Sequence, residues 1–301
     1  MPKAARPRRR NPCRSGSGRN DLPLGNTPSP GRNPCRRGAL GEGVSRYRAP
    51  WREARRHDNP WRSQLDPIVP YCGPAPENLL TAWNLAPLPL ALCAAPLALA
   101  FLRRDVPRGP AALAAAALFL AFVSPLCALT VALFSARGLH HLVLVLIAAP
   151  ALALAFPLRL PFARMGGFLG LSLLLWLWHL PAAYTLAWNS HAAYWLMQAG
   201  LLGSGFAFWS SVFRVERPAE RVASVGLVLA LAGQMGLIGA ILTFSPRLLY
   251  LQHLGATDAY GLSALADQQL AGLIMWVPGM LPLALIGALL LRRGWREASA
   301  A

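Results

Sequence analysis

The chain has 301 residues, of which 55% are apolar and only 14% charged, against about 25% charged in an ordinary soluble domain. That balance excludes a wholly disordered chain and a soluble nucleic-acid binder, and it assigns most of the chain to lipid. The net charge of +17 is uneven: residues 1–62 hold 16 of the 29 Lys and Arg against four acids, and the rest holds 13 against eight.

Residues 1–68 read as a disordered basic extension and residues 69–301 as a membrane domain. Nine Pro and seven Gly in residues 1–62, with few aliphatic side chains, leave too little apolar surface to offset chain entropy. One functional reading is a tail for nucleic acid or anionic lipid. The favoured reading is a gene start set too far upstream. The next Met after Met1 is Met165, so a later start would use another codon near Leu65 or Val69. The arginines are not followed by an apolar run of the kind a secretory signal needs.

Seven apolar runs follow, at about 85–102, 111–134, 139–158, 165–188, 192–213, 222–244 and 270–291. Each has roughly 18–24 residues, enough to cross a ~30 Å hydrocarbon core as a helix. They are rich in Leu and Ala and lack period-2 alternation, so they predict helices and not barrel strands. The expected fold is all-α: a polytopic bundle of seven transmembrane helices. Pro87, Pro89 and Pro96 predict an irregular first helix.

Loop arginines set the expected orientation. Arg103, Arg104, Arg108, Arg159, Arg164, Arg214, Arg217, Arg221, Arg292, Arg293 and Arg296 fall on one side, and only Arg137 and Arg247 on the other. Eleven against two puts the C-terminus in the cytoplasm and the start of the first helix outside. A head with 16 cationic residues fits an outside start poorly, which is the reason for favouring a true start further downstream.

Polar groups at membrane depth are expensive and point to function. Every His after His57 maps to the outer side: His140 and His141 at the start of the third run, His179 at the end of the fourth, His191 before the fifth and His253 before the seventh. Asp267 stands just ahead of that last run. Imidazole and carboxylate suit copper or zinc. Cys93, Cys127, Met197, Met235 and Met275 supply softer donors at similar depth and favour Cu(I). No metal-ligand spacing motif accompanies them. His140 and His141 are about 100° apart on a helix, so one of them is expected to face inward. A His at such a depth also serves as a hydrogen-bonded packing group, and Met as ordinary core filling.

Trp176, Trp178, Trp188, Trp195 and Trp276 suggest an outer aromatic belt. Gly200, Gly203 and Gly205, and likewise Gly233, Gly236 and Gly239, suit close helix packing better than a phosphate loop. Five cysteines, an odd number without a framework pattern, predict no disulfide. Lys3 is the only lysine, which excludes a retinal Schiff base. The runs hold no mid-membrane acid for a proton pump and no protease motif, and no enzyme is expected.

Several segments nevertheless resemble one family. They are Tyr71-Cys72-Gly73-Pro74, Ser124 to Leu129 with Phe134 to Arg137, His141 and its Leu-rich continuation, Trp176 to Pro181, Thr243 to Tyr250, and Asp267 to Gly279. Together, over about residues 69–292, they resemble the multi-pass CtaG family of cytochrome c oxidase assembly proteins, the caa3-type group. The single-span copper chaperone that shares the name is a different protein.

The resemblance implies a multi-pass protein of the bacterial inner (plasma) membrane that helps mature a copper-containing oxidase. Its implied partners are oxidase subunits or other assembly factors, with membrane lipid around it and no nucleic acid. By resemblance His141, His179 and Asp267 occupy recurrent polar positions, and His253 follows the Ser-Pro-Arg segment. Related chains carry a further His one turn before His141; here that position is Arg137, and His140 stands where Gln is usual.

The expected function is copper handling at the periplasmic face, with His141 and His179 as ligands ahead of His191, His253 and His140. Asp267 is expected to ligate or to fix a His tautomer. Gln268 and Gln269 are expected to bond across helices. Three rivals stand beside it: a haem-binding electron carrier using His141 and His179 as axial ligands, a metal or small-solute transporter, and a metal-free assembly scaffold.

Overall fold

The computed structural model describes residues 69–158, 163–215 and 217–300, within a compact unit spanning residues 60–301. The expectations for residues 1–68 lie outside the described residues. The described residues form α-helices joined by short turns, with no strand among them. Helix α1 is Pro87–Leu102, α2 Arg108–Phe122, α3 Leu126–Ala132, α4 Phe134–Val143, α5 Ala149–Ala155, α6 Ala163–Trp178, α7 Pro181–Asn189, α8 His191–Phe213, α9 Pro218–Phe244, α10 Ala264–Trp276 and α11 Met280–Ala300.

Each apolar run of the sequence is helical. Four stretches are long and apolar enough to cross a bilayer: Arg108–Ala132, Phe134–Ala155, Glu220–Phe244 and Ala264–Glu297. A fifth is a broken one, Arg164–Trp178 followed by Pro181–Asn189, bent by 83°. Helix α1 is apolar but has 16 residues, about 24 Å at 1.5 Å per residue. Helix α8 has the length, 23 residues, but its Gly, Ser, Gln and Trp residues dilute its apolar character. Leu173, Leu229 and Leu285 turn outward from mid-helix and are exposed, as helices facing lipid require.

The prolines act locally. Pro87 opens α1 instead of breaking it, and Pro96 is carried inside the helix. Pro181 ends α6 and begins α7, because it lacks an N–H and its ring excludes the preceding turn. The turn between these helices tightens through His179 N to Trp176 O (3.2 Å) and Leu180 N to Leu177 O (3.0 Å). Pro150 has a subtler effect. Residues Leu144–Ala148 form a π-turn, in which Ala149 N reaches Leu144 O. The next such bond, to the Val145 carbonyl, would need an N–H that Pro150 lacks. Trp209 Nε1 supplies it from α8 at 2.8 Å.

Helix α8 packs on α5 and α6, α9 on α10 and α11, and α4 on α10. The main core gathers Trp209, Phe208, Leu171, Met197, Leu231 and Met235 between these helices.

Two expectations are corrected. Cys72 and Cys127 form a disulfide, with sulfurs 2.07 Å and Cα atoms 5.4 Å apart. The odd count misled because Cys93 stays free and buried, and because the partners lie 55 residues apart with two helices between them. The bridge fastens the segment ahead of α1 to α3, and Asn84 N donates to Val123 O at the end of α2 at 2.9 Å. The five tryptophans do not form one belt. Trp176 and Trp276 are exposed, but Trp178 is buried, Trp195 stacks on Phe122 and Trp188 packs edge-on against His253.

Candidate functional site

The chain breaks at Leu133, whose extended backbone (φ −123°, ψ 127°) separates α3 from α4. A helix that starts inside a membrane protein exposes unpaired N–H groups. Asp267, fully buried on α10, satisfies them: its carboxylate accepts from Phe134 N at 2.6 Å and Ser135 N at 3.2 Å, and from the Ser135 hydroxyl. Asp267 thus serves α4 as an N-cap from the far end of the sequence.

Two turns into α4, His141 faces α6, α9 and α10. There it meets His179, at the α6–α7 break, across a cavity of about 20 Å³ lined by Gly138, His141, Leu142, Val145, Leu175, His179, Met235 and Met275. That volume holds one water-sized body and no macrocycle. His179 Nδ1 lies 2.6 Å from the Leu175 carbonyl. A carbonyl only accepts, so Nδ1 carries the proton and Nε2 keeps its lone pair. His141 Nε2 is buried without a hydrogen-bond partner. Two imidazoles and two methionines therefore border one small, largely apolar space. Among the described residues no three His, Cys, Asp or Glu side chains converge on a metal-sized site.

The other expected residues lie apart. His140 turns instead to Phe122, edge-on with ring centres 5.2 Å apart, while its ring stays 5.6 Å from that of His141, and neither of its nitrogens has a partner. His191 is exposed at the start of α8, and its Nε2 donates to Val69 O at 3.1 Å. Of the softer donors, Cys127 is in the disulfide, and Cys93 and Met197 are buried in core packing. The side chains of Gln268 and Gln269, expected to bond across helices, bond instead to backbone of the segment after α9. Gln268 Oε1 accepts from Leu249 N (2.7 Å), its Nε2 donates to Arg247 O (3.1 Å), and Gln269 Nε2 donates to Ser245 O (3.4 Å).

His253 anchors an aromatic cluster over the α6–α7 break. Its Nδ1 donates to Val131 O at 3.1 Å, and its Nε2 accepts from the Tyr184 hydroxyl at 2.7 Å. Tyr250 stacks on Phe134 with centres 3.9 Å apart, and its hydroxyl donates to the His179 carbonyl at 2.7 Å. Arg137, buried on α4, lies over the Tyr184 and Trp188 rings at 5.3 and 5.6 Å and donates to Thr130 O. From the sequence, Arg137 was a loop charge and a motif position and Tyr250 a motif position, but neither was a candidate site residue, and Tyr184 was not singled out. The aromatic residues flanking the Pro181 break were the available signal.

Burial, and next the charge of Arg137, push the His253 pKa down to about 3. The ring stays neutral in the folded protein where an unfolded His, near 6.5, gains a proton. A depressed basic group gives its full stability above pH about 6.5 and loses it as pH falls toward 3, by at most about 1.4 kcal/mol per pH unit. The Tm of the purified protein is therefore expected to fall between about pH 6.5 and pH 4. His253→Gln should flatten that slope, whatever its Tm at neutral pH. An unchanged slope would assign the acid sensitivity to other groups.

A helical bundle with lipid-facing leucines, broken helices and buried polar groups at one end defines a polytopic membrane protein. Residues 162–297 match the family model of the cytochrome c oxidase caa3 assembly factor, which shows over that stretch the CtaG resemblance read from the sequence. No curated protein and no solved structure matches the chain. His179, Met235 and Met275 lie within the matched stretch, and His141 ahead of it.

Proposed function

We propose that the protein assists cytochrome c oxidase assembly in the bacterial plasma membrane, taking copper as its cargo at the periplasmic face. The observation that carries this reading is the convergence of His141 and His179, both with an Nε2 free to ligate, on one ion-sized cavity. The match to an oxidase assembly family supplies the process.

The reading includes seven crossings: α1, α2–α3, α4–α5, the bent α6–α7 pair, α8, α9 and α10–α11. It places the N-terminal end of α1 outside and the C-terminus in the cytoplasm. Two independent features support this orientation. Arginines outnumber those at the opposite end by eleven to two. The Cys72–Cys127 bridge sits at the arginine-poor end, and disulfides persist in oxidising compartments. The cavity volume favours an ion over haem.

The test is complementation of a bacterial strain lacking the protein. Wild type should restore oxidase activity and oxidase-bound copper. His141→Ala with His179→Ala, present in the membrane at wild-type level, should restore neither. Full restoration by the double variant would reject copper handling and leave a metal-free scaffold.

A further inference from the structure

We propose that Met235 and Met275 complete a four-donor set with His141 and His179, which makes the cavity selective for a soft monovalent cation, Cu(I), over Cu(II) and Zn(II). The proposal rests on the reading that this cavity handles metal and adds which ion it takes and by which ligands.

The four side chains come from four different elements. His141 is on α4, His179 at the α6–α7 break, Met235 on α9 and Met275 on α10. Both methionines are almost fully buried, at 1% and 3% exposure. Their placement follows from the closest helix crossing in this region. A Cβ on Gly239 would lie 2.8 Å from the Gly272 carbonyl oxygen, so α9 and α10 touch backbone to backbone there. Met235 is one turn before Gly239 and Met275 three residues after Gly272, which brings both into the same cavity wall.

Core methionines ordinarily fill irregular gaps. Here they share the gap with a buried imidazole nitrogen that has no partner, a costly arrangement for packing alone.

Charge then decides between ions. All four donors are neutral. The rest of the lining is Gly138, Leu142, Val145 and Leu175, and Asp267 is committed to the first turn of α4. No anionic ligand therefore offsets the charge of a bound ion. The cost of burying an ion in a low dielectric grows as the square of its charge, so a divalent ion pays about four times as much as a monovalent one. Arg137, one turn before His141 and without an ion pair among the described residues, adds repulsion that is also steeper for a divalent ion. Imidazole serves both ions, but thioether donors suit Cu(I), whereas zinc sites are built from thiolate, imidazole and carboxylate.

The full-length protein, purified in detergent, is to be titrated anaerobically with Cu(I), Ag(I) and Zn(II). X-ray absorption of the Cu(I)-loaded wild type should show both nitrogen and sulfur neighbours, a measurement that needs no variant. Ag(I) should compete with Cu(I), and Zn(II) should bind at least about a hundredfold more weakly. Met235→Leu with Met275→Leu conserves volume; it should remove the sulfur signal and weaken Cu(I) binding by about tenfold or more. A wild-type spectrum without sulfur, or Zn(II) binding as tight as Cu(I), overturns the four-donor proposal even if His141 and His179 prove essential. Cu(I) binding that survives His141→Ala with His179→Ala overturns the proposal and the copper-handling reading together.

Discussion

Asp267→Ala is expected to destabilise the protein by about 3–5 kcal/mol, the cost of stranding buried donors beside a lost charge. The carboxylate accepts from two backbone N–H groups and one hydroxyl at the start of α4, and the site has no water-exposed alternative because Asp267 is 0% exposed. Removing it leaves Phe134 N, Ser135 N and the Ser135 hydroxyl without an acceptor. Leu133 cannot substitute, since its side chain makes no capping bond. Asp267→Asn keeps one acceptor oxygen but turns an NH₂ toward donors, so a smaller loss of about 2 kcal/mol is expected.

The same pair of variants separates capping from ligation. Under the capping role, thermal unfolding in detergent shows the loss, and Cu(I) stoichiometry per folded molecule stays at the wild-type value for Asp267→Asn. Unchanged stability with lost copper would instead make Asp267 a ligand, as its place among the polar residues of the sequence suggested. The effect on His141 is indirect: α4 begins where Asp267 holds it, and His141 lies two turns further along.

This division between what the sequence shows and what only the fold shows has a physical basis. Helix positions follow from apolar runs because hydrocarbon demands internally satisfied backbone over a fixed length. The 100° separation of His140 and His141 was likewise local information, and the structure turns one to the cavity and the other to Phe122. The partner of Asp267 was not local. It lies 133 residues away, across a break at Leu133 that an unbroken apolar run conceals. The 83° bend at Pro181 was concealed in the same way, and with it the exposed carbonyl that Tyr250 caps. The disulfide was missed because cysteine counting treats all five residues alike, and only folding distinguishes the bridged pair from buried Cys93. Met235 and Met275 were visible as soft donors, but their juxtaposition depends on how closely two helices cross.

That crossing carries the second large expected effect. Gly272→Leu should separate α9 from α10, lower the Tm sharply and weaken Cu(I) binding by about a hundredfold or more, because Met235 and Met275 then no longer share one wall. A Cβ at Gly272 would run into the Gly239 carbonyl oxygen and into both the side chain and backbone of Thr243. Backbone cannot yield as a flexible side chain can, so the helices must move apart, at a cost of order 1–3 kcal/mol or more for an overpacked contact. Gly233, on α9 with Gly239 and also expected to be part of a packing face, has nothing within 4 Å of an added Cβ. Gly233→Ala should therefore be neutral or slightly stabilising, since Ala exceeds Gly in a helix by roughly 1 kcal/mol. The contrast controls for glycine content as such. Cu(I) titration and thermal unfolding of the two variants decide the matter: a Gly272→Leu protein as stable and as tightly copper-binding as wild type would show that the α9–α10 contact does not set the methionine positions.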